Sequence, residues 1–288
     1  MNSRFYFMPV VILSAISTRS QMLRGQSPAG TEGALPPIAT GVASDSAAPG
    51  KTFFTRRDAV IAGSALVGSA VLSAFDVRIA RWTQQPRIQG STSRQDFVHN
   101  LTWVNERPLT AAAVATYAIG RLAHSSGMAD VGLHMTEALV LTTAASELIR
   151  VPLGRSRPRV SQDDQYNFHF GGGLKHFDER AYPSIHAAVA FATASSLVTE
   201  MRERHAAATW YVAPLLYAGA MVPGLTRMYL NQHWASDVLA GAALGQLLGS
   251  KVVHYSHTHR RSKLDRALLG TLLVPNGHGG TLVGLSFD

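Results

Sequence analysis

Three clusters of residues in this chain have the types and spacings that chemistry on an anion requires. The first is Arg150-Val-Pro-Leu-Gly-Arg-Ser-Arg157-Pro158, where Arg150, Arg155, Arg157 and Arg159 crowd the end of an apolar segment. A helix there must stop before Pro158. Guanidinium forks suit phosphate-like oxyanions, and the same run would also serve as a plain solvated basic turn. The second cluster is Tyr182-Pro183-Ser184-Ile185-His186. Ser184 stands where an N-cap belongs, unpaired backbone N–H groups follow it, and His186 falls in the first turn beside any anion held there. An ordinary capped helix with an incidental histidine has the same pattern. The third runs from Thr226-Arg227 through His233 to Asp237. Residues four apart share a helix face, so the Asp237 carboxylate can hold the His233 Nδ1–H and leave Nε2 nucleophilic. A core His–Asp pair is the alternative.

Helices must position these clusters. Apolar and small residues dominate 109–122, 131–149, 185–198, 206–221 and 238–253, while β-branched alternation is scarce, so an all-α bundle is expected. Residues 160–183 break the pattern with aromatics, Asp163, Asp164 and three glycines at 171–173; a loop of this length with such content predicts a lid. Residues 1–20 resemble a signal segment, and residues 21–55 read as a disordered linker. Residues 56–265 are expected to form the helical domain and 266–288 a C-terminal extension with a turn and a short strand. The uncharged run 59–75, about 26 Å long as a helix, has three readings. It is a short membrane-seated or membrane-crossing helix, a buried core helix, or an export signal led by Arg56-Arg57.

Composition narrows the chemistry. The 288 residues contain no cysteine, which excludes disulfides, thiolate metal sites and thiol nucleophiles. The formal charge is +8, carried almost wholly by arginine, and by itself fits nucleic acid, anionic lipid or a phosphorylated substrate. The histidines at 254, 257 and 259 could bind a metal, but they lie among Arg260, Arg261 and Lys263 and read as a solvated basic face.

Taken together, R-x6-R-P, P-S-I-H and T-R-x5-H-x3-D resemble the tripartite signature of the type 2 phosphatidic acid phosphatase (PAP2) family. Its superfamily includes bacterial acid phosphatases and vanadium haloperoxidases. The resemblance spans roughly residues 76–255 and extends through His233-Trp-Ala-Ser-Asp-Val-Leu-Ala-Gly. It implies a helical bundle of the PAP2/haloperoxidase type, with the lid-like loop between the first and second motifs. It implies that Arg150, Arg157 and Arg227 clamp the phosphoryl oxygens, and that Ser184 and the Ile185 backbone N–H complete the cradle. His233 would attack phosphorus, Asp237 would orient it, and His186 would protonate the leaving group and then activate water.

The resemblance further implies a metal-independent phosphatase, with no cofactor and a phosphohistidine intermediate, acting outside the cytoplasm. The substrate would be a phosphate monoester or pyrophosphate, a lipid phosphate or a soluble ester, with no nucleic-acid partner; the uncharged run itself suggests membrane association through 59–75. The alternatives are a haloperoxidase holding vanadate, and a phosphate-binding scaffold impaired at the site. Three residues depart from the family pattern: Arg150 stands for Lys, Thr226 for Ser and Ile185 for Gly. Ile185 is expected to crowd the anion.

Overall fold

The computed structural model describes residues 53–258 and the backbone of two strands, Thr271–Pro275 and Thr281–Leu285. The signal-like segment 1–20, the linker as far as residue 52, and the remainder of the extension lie outside the described residues. The helices are α1 (Arg56–Ser73), α2 (Asp76–Thr83), α3 (Pro86–Gln89), α4 (Thr92–Leu101), α5 (Glu106–Leu122), α6 (Ser126–Leu153), α7 (Ile185–Glu203), α8 (Thr209–Tyr229) and α9 (Ala235–Thr258). The body is all-α. The C-terminal segment holds two antiparallel strands where one was expected, β1 (Thr271–Pro275) and β2 (Thr281–Leu285), in register from Thr271 opposite Leu285 to Pro275 opposite Thr281.

Helix α7 is the centre of the bundle, flanked by α9, α8, α6 and α5. Its buried residues are mostly small: Ala187, Ala188, Ala190, Ala192 and Ala194. Helix α9 answers with Gly241, Gly245 and Gly249, one per turn on one face. A Cβ on Gly245 would stand 1.9 Å from the Ala188 carbonyl oxygen, so the two backbones pack where only glycine fits. Beside this contact, Ala113, Met135, Leu139, Val189 and Ala192 form a core cluster against which Leu109 and Ile185 pack.

Helix α1 begins with a reciprocal cap: the Asp58 N–H donates to Thr55 Oγ1, and the Thr55 N–H donates to Asp58 Oδ2 at 2.7 Å. Phe53 packs on Tyr255 of α9 with ring centroids 5.3 Å apart, so the folded unit already includes the last residues assigned to the linker. The run 59–75 is helical as far as Ser73, where α1 ends, and the chain then bends by 62° into α2. Nor is it a buried core helix. Asp58, Ser69 and Ser73 are buried, and the Ser69 hydroxyl donates to the Ser236 carbonyl of α9 at 3.0 Å. The bulky Val60, Ile61, Leu66, Val67 and Val71 face outward. Among the described residues no single helix is long and apolar enough to cross a membrane; the bent α1–α2 pair passes that test only together.

The loop 160–183 is ordered around the end of α6. It contains two single-turn 3-10 segments, Gly172–Leu174 and Phe177–Glu179, and a bridge between Arg155 and Phe168. The N–H groups of Ser156, His169 and Gly171 pair with the carbonyls of Asn167, Gly154 and Pro152 respectively.

Candidate active site

Three helix ends converge. Helix α6 stops at Gly154, which takes a left-handed conformation (φ 64°) and on which a Cβ would collide with the His169 carbonyl. The last turn thereby delivers Arg150 inward, 2% exposed, and the following extended residues deliver Arg155 and Arg157, both buried. Helix α7 starts at Ser184, whose hydroxyl accepts from the Ala187 N–H, and whose own N–H donates to the Asp237 carbonyl at 3.0 Å. The Tyr182–Pro183 peptide bond before it is cis. Helix α8 ends with Arg227 in its last turn, and Asn231 with φ 55° turns the chain toward α9.

His233 differs from expectation. It lies in the turn before α9, not on the helix, and its Nδ1 is 2.8 Å from the Ala181 carbonyl but 3.7 Å from Asp237 Oδ2. A carbonyl only accepts, so Nδ1 carries the proton and Nε2 the lone pair. The Asp237 carboxylate is used elsewhere. Asp237 sits in the first turn of α9, where Oδ2 accepts the Trp234 N–H at 2.8 Å, and Oδ1 accepts from Arg155 at 2.6 Å. Arg155 also donates to Asp76 Oδ2 at 2.9 Å, and Asp76 accepts the Ser236 N–H and hydroxyl. Asp76–Arg155–Asp237 is thus a fully buried ion triad behind His233. The motifs gave Arg155 and Asp76 no role. Their only signals were one more arginine in a basic run and a lone carboxylate ending an apolar one.

The front of the site is a set of buried polar atoms without protein partners. They are Arg150 Nε, Arg157 Nε and Nη2, His186 Nδ1 and His233 Nε2. The Ile185 and His186 N–H groups, at the first two positions of α7, have no intrahelical acceptor. The His186 and His233 rings are edge-to-face, 6.0 Å apart. Arg157 donates to Gln232 Oε1 and lies under the Phe177 ring at 4.2 Å, so the loop between the first two motifs covers Arg157. The orphaned guanidinium donors and the His233 lone pair, with Glu106 Oε2 also unpartnered, make an arrangement of a kind suited to a tetrahedral oxyanion.

Electrostatics follow. Burial, then the charges of Arg227, His233, Arg150 and Arg157, push His186 down to about 2, so it is neutral in the free protein. Burial, with Arg157 and Arg150, also lowers His233 despite the opposing Asp237 carboxylate. Arg157 is lowered to about 10 by burial and by its neighbouring arginines, and it stays charged. Glu106 Oε2, at the start of α5, is 3.5 Å from His186 Nε2. Nothing in the motifs pointed to Glu106.

Ile185 does not crowd the cradle. Its side chain packs on the Ala113–Met135–Leu139 cluster, leaving its backbone N–H toward the site. The first turn of α7 needs only the backbone there, and the Cβ has an apolar neighbour to face.

Residues 132–261 match the model of the PAP2 superfamily, a span that takes in all three motifs. The motif-bearing part of the chain is thus similar to the PAP2 superfamily. Over 98 residues the chain is 39% identical to a lipid A 1-phosphatase of Porphyromonas gingivalis. That alignment covers 32% of this chain and 21% of the relative, so the chain spans about a fifth of that protein's length. No solved structure gives a significant match. The eight residues expected at the site, Arg150, Arg157, Ser184, Ile185, His186, Arg227, His233 and Asp237, lie at the junction of these helix ends.

Proposed function

We propose that this protein is a phosphatase that hydrolyses a lipid phosphate monoester through a phosphohistidine on His233 Nε2. The observation that carries this is the unpartnered, lone-pair-bearing Nε2 facing the orphaned donors of Arg150 and Arg157. Phosphoryl transfer asks for in-line positioning and charge neutralisation more than for bond-making by the protein. Arg150, Arg157 and Arg227 supply about three positive charges, so the transfer needs no metal ion. In the first step the Nε2 lone pair forms the N–P bond, the P–O ester bond breaks, and His186 gives its proton to the leaving oxygen. In the second, His186 takes a proton from water, the hydroxide attacks phosphorus and the N–P bond breaks. His186 is neutral in the free protein, so its proton for the first step comes with the substrate. Phosphate charge offsets the arginines that hold His186 down, and raises its basicity when the acid is needed.

Two features support a lipid leaving group. An apolar groove of about 370 Å³ runs between α5, α7 and α8, lined by Leu109, Ala190, Ala194, Leu197, Leu216 and Ala220. Leu109 and Ala190 lie one helical turn beyond Glu106 and His186, so an acyl-bearing alcohol could leave along this groove. The exposed apolar residues of α1 and α2, with Phe170, Leu174 and Phe177 of the loop, suit a protein seated on a membrane at an extracytoplasmic face. The relative acts on a lipid phosphate by its name, in keeping with this choice.

The test is quenched-flow trapping with a radiolabelled lipid phosphate in mixed micelles, beside p-nitrophenyl phosphate. Acid-labile, base-stable label is expected on the wild type and absent from His233→Ala, whose turnover falls to background on both substrates. Wild-type-like turnover in His233→Ala ends the mechanism; preference for the soluble ester ends the lipid assignment.

A further inference from the structure

Helix α7 runs away from the phosphate cradle, and at its far end a second cluster forms that the phosphatase reading does not use. Glu200 lies sixteen residues beyond Ser184, about 24 Å along the helix. Its carboxylate is 2% exposed. His134 Nδ1 from α6 contacts Glu200 Oε1, and His257 Nε2 from α9 is 3.2 Å from both oxygens. The three ligand atoms lie within 4.8 Å of one another. The two imidazole rings are edge-to-face, 5.6 Å apart.

We propose that His134, Glu200 and His257 form a structural binding site for a borderline divalent transition-metal ion, with zinc as the reference ion. Two imidazole nitrogens and one carboxylate oxygen are a donor set that zinc takes readily, and that Mg²⁺ and Ca²⁺, which prefer all-oxygen shells, do not. The surroundings fit a cation. Asp130 and Glu137, besides Glu200, act on His134, and Arg204 acts on Asp130 and Glu200. This is a local excess of negative charge in a chain of net +8. Arg204 Nε donates to Glu200 Oε2 at 3.0 Å, an outer contact of the kind that orients a ligating carboxylate and leaves its other oxygen for the metal.

His257 does not lie on a solvated basic face. Its side chain is only 16% exposed, whereas His254 is exposed and pairs with Glu203 at 2.6 Å. Bound metal would tie the N-terminal part of α6 to the C-terminal parts of α7 and α9.

The test uses the full chain without a polyhistidine tag, stripped with chelator and titrated with Zn²⁺ and separately with Mg²⁺. Metal content is read by elemental analysis and the fold by circular dichroism. One zinc per chain, no magnesium and a raised Tm are expected for the wild type. His257→Ala, at the half-buried helix end, and Glu200→Gln should each weaken zinc by more than the roughly 10–100-fold that outer contacts are worth. His254→Ala should bind as the wild type does. A wild type that takes up no stoichiometric zinc overturns the proposal and leaves a hydrogen-bonded His–Glu–His group. Zinc retained with wild-type affinity by folded His257→Ala and Glu200→Gln also overturns it. These readouts do not depend on phosphate release.

Discussion

His233 illustrates how one side chain acquires a mechanism from its neighbours. The Ala181 carbonyl fixes the proton on Nδ1, and burial with Arg157 and Arg150 keeps the ring neutral below its ordinary pKa of 6.5. A lowered pKa means that Nε2 stays unprotonated as the pH falls through 6.5. The acid limb of kcat/KM, which reports the free enzyme, should therefore lie below pH 6.5. A pH–rate profile with that limb at or above 6.5 would contradict the arrangement. Ile185 yields a second expectation. Because its side chain packs on the core cluster, Ile185→Gly should not raise kcat/KM, even for bulky esters. It should cost about 1–3 kcal/mol through lost apolar burial and added backbone freedom. Paired melting curves and kinetics check both parts; a faster Ile185→Gly enzyme would restore the idea that Ile185 crowds the site.

At the scale of elements, the catalytic geometry depends on how three helix ends meet. The glycine face of α9 lets the start of α7 approach so closely that the Ser184 N–H reaches the Asp237 carbonyl. Helix α2 then contributes Asp76, which holds Arg155, which holds Asp237. Removing one partner of a buried ion group strands the others, so Asp76→Ala should cost about 3–5 kcal/mol and lower Tm by on the order of 10 °C. In protein that remains folded, kcat should fall with KM little changed, because Asp76 acts through Arg155 and Asp237 and does not touch substrate. An Asp76→Ala protein with wild-type Tm and kcat would show that the triad is incidental.

Among the described residues many small residues lie inside and many large apolar ones outside, most clearly on α1, where Ser69 and Ser73 face inward and Val60, Leu66 and Val71 face out. Under the proposed function that outer surface would rest on lipid, and the charge-rich cradle would act without a metal. Chelation should leave phosphate release intact below the melting temperature, even where it removes an ion from the distant His134–Glu200–His257 cluster. Orthovanadate should compete with substrate, since its trigonal-bipyramidal form resembles the transition state. Activity lost in EDTA and regained with magnesium would place a metal in the cradle instead.

Much of this protein is legible in its residues alone. The helical class followed from long runs of small and apolar residues, and the site from three motifs whose charges and order suit an oxyanion. The end of α6 before Pro158 and the cap at Ser184 were local matters of backbone chemistry, and local chemistry is written in adjacent residues. What stayed hidden depends on contacts between distant residues. Arg155 meets Asp76 and Asp237 across 79 and 82 residues, His233 meets Ala181 across 52, and Glu200 meets His134 across 66. Composition cannot say which of four neighbouring arginines turns to a ligand and which to a carboxylate. The i, i+4 spacing of His233 and Asp237 suggested a shared helix face, but the helix begins between them, and the carboxylate caps it. Residue types and local patterning specify which groups are present and which elements carry them. The tertiary structure decided their partners, because a buried charge or donor takes whichever complementary atom the packing brings within about 3 Å.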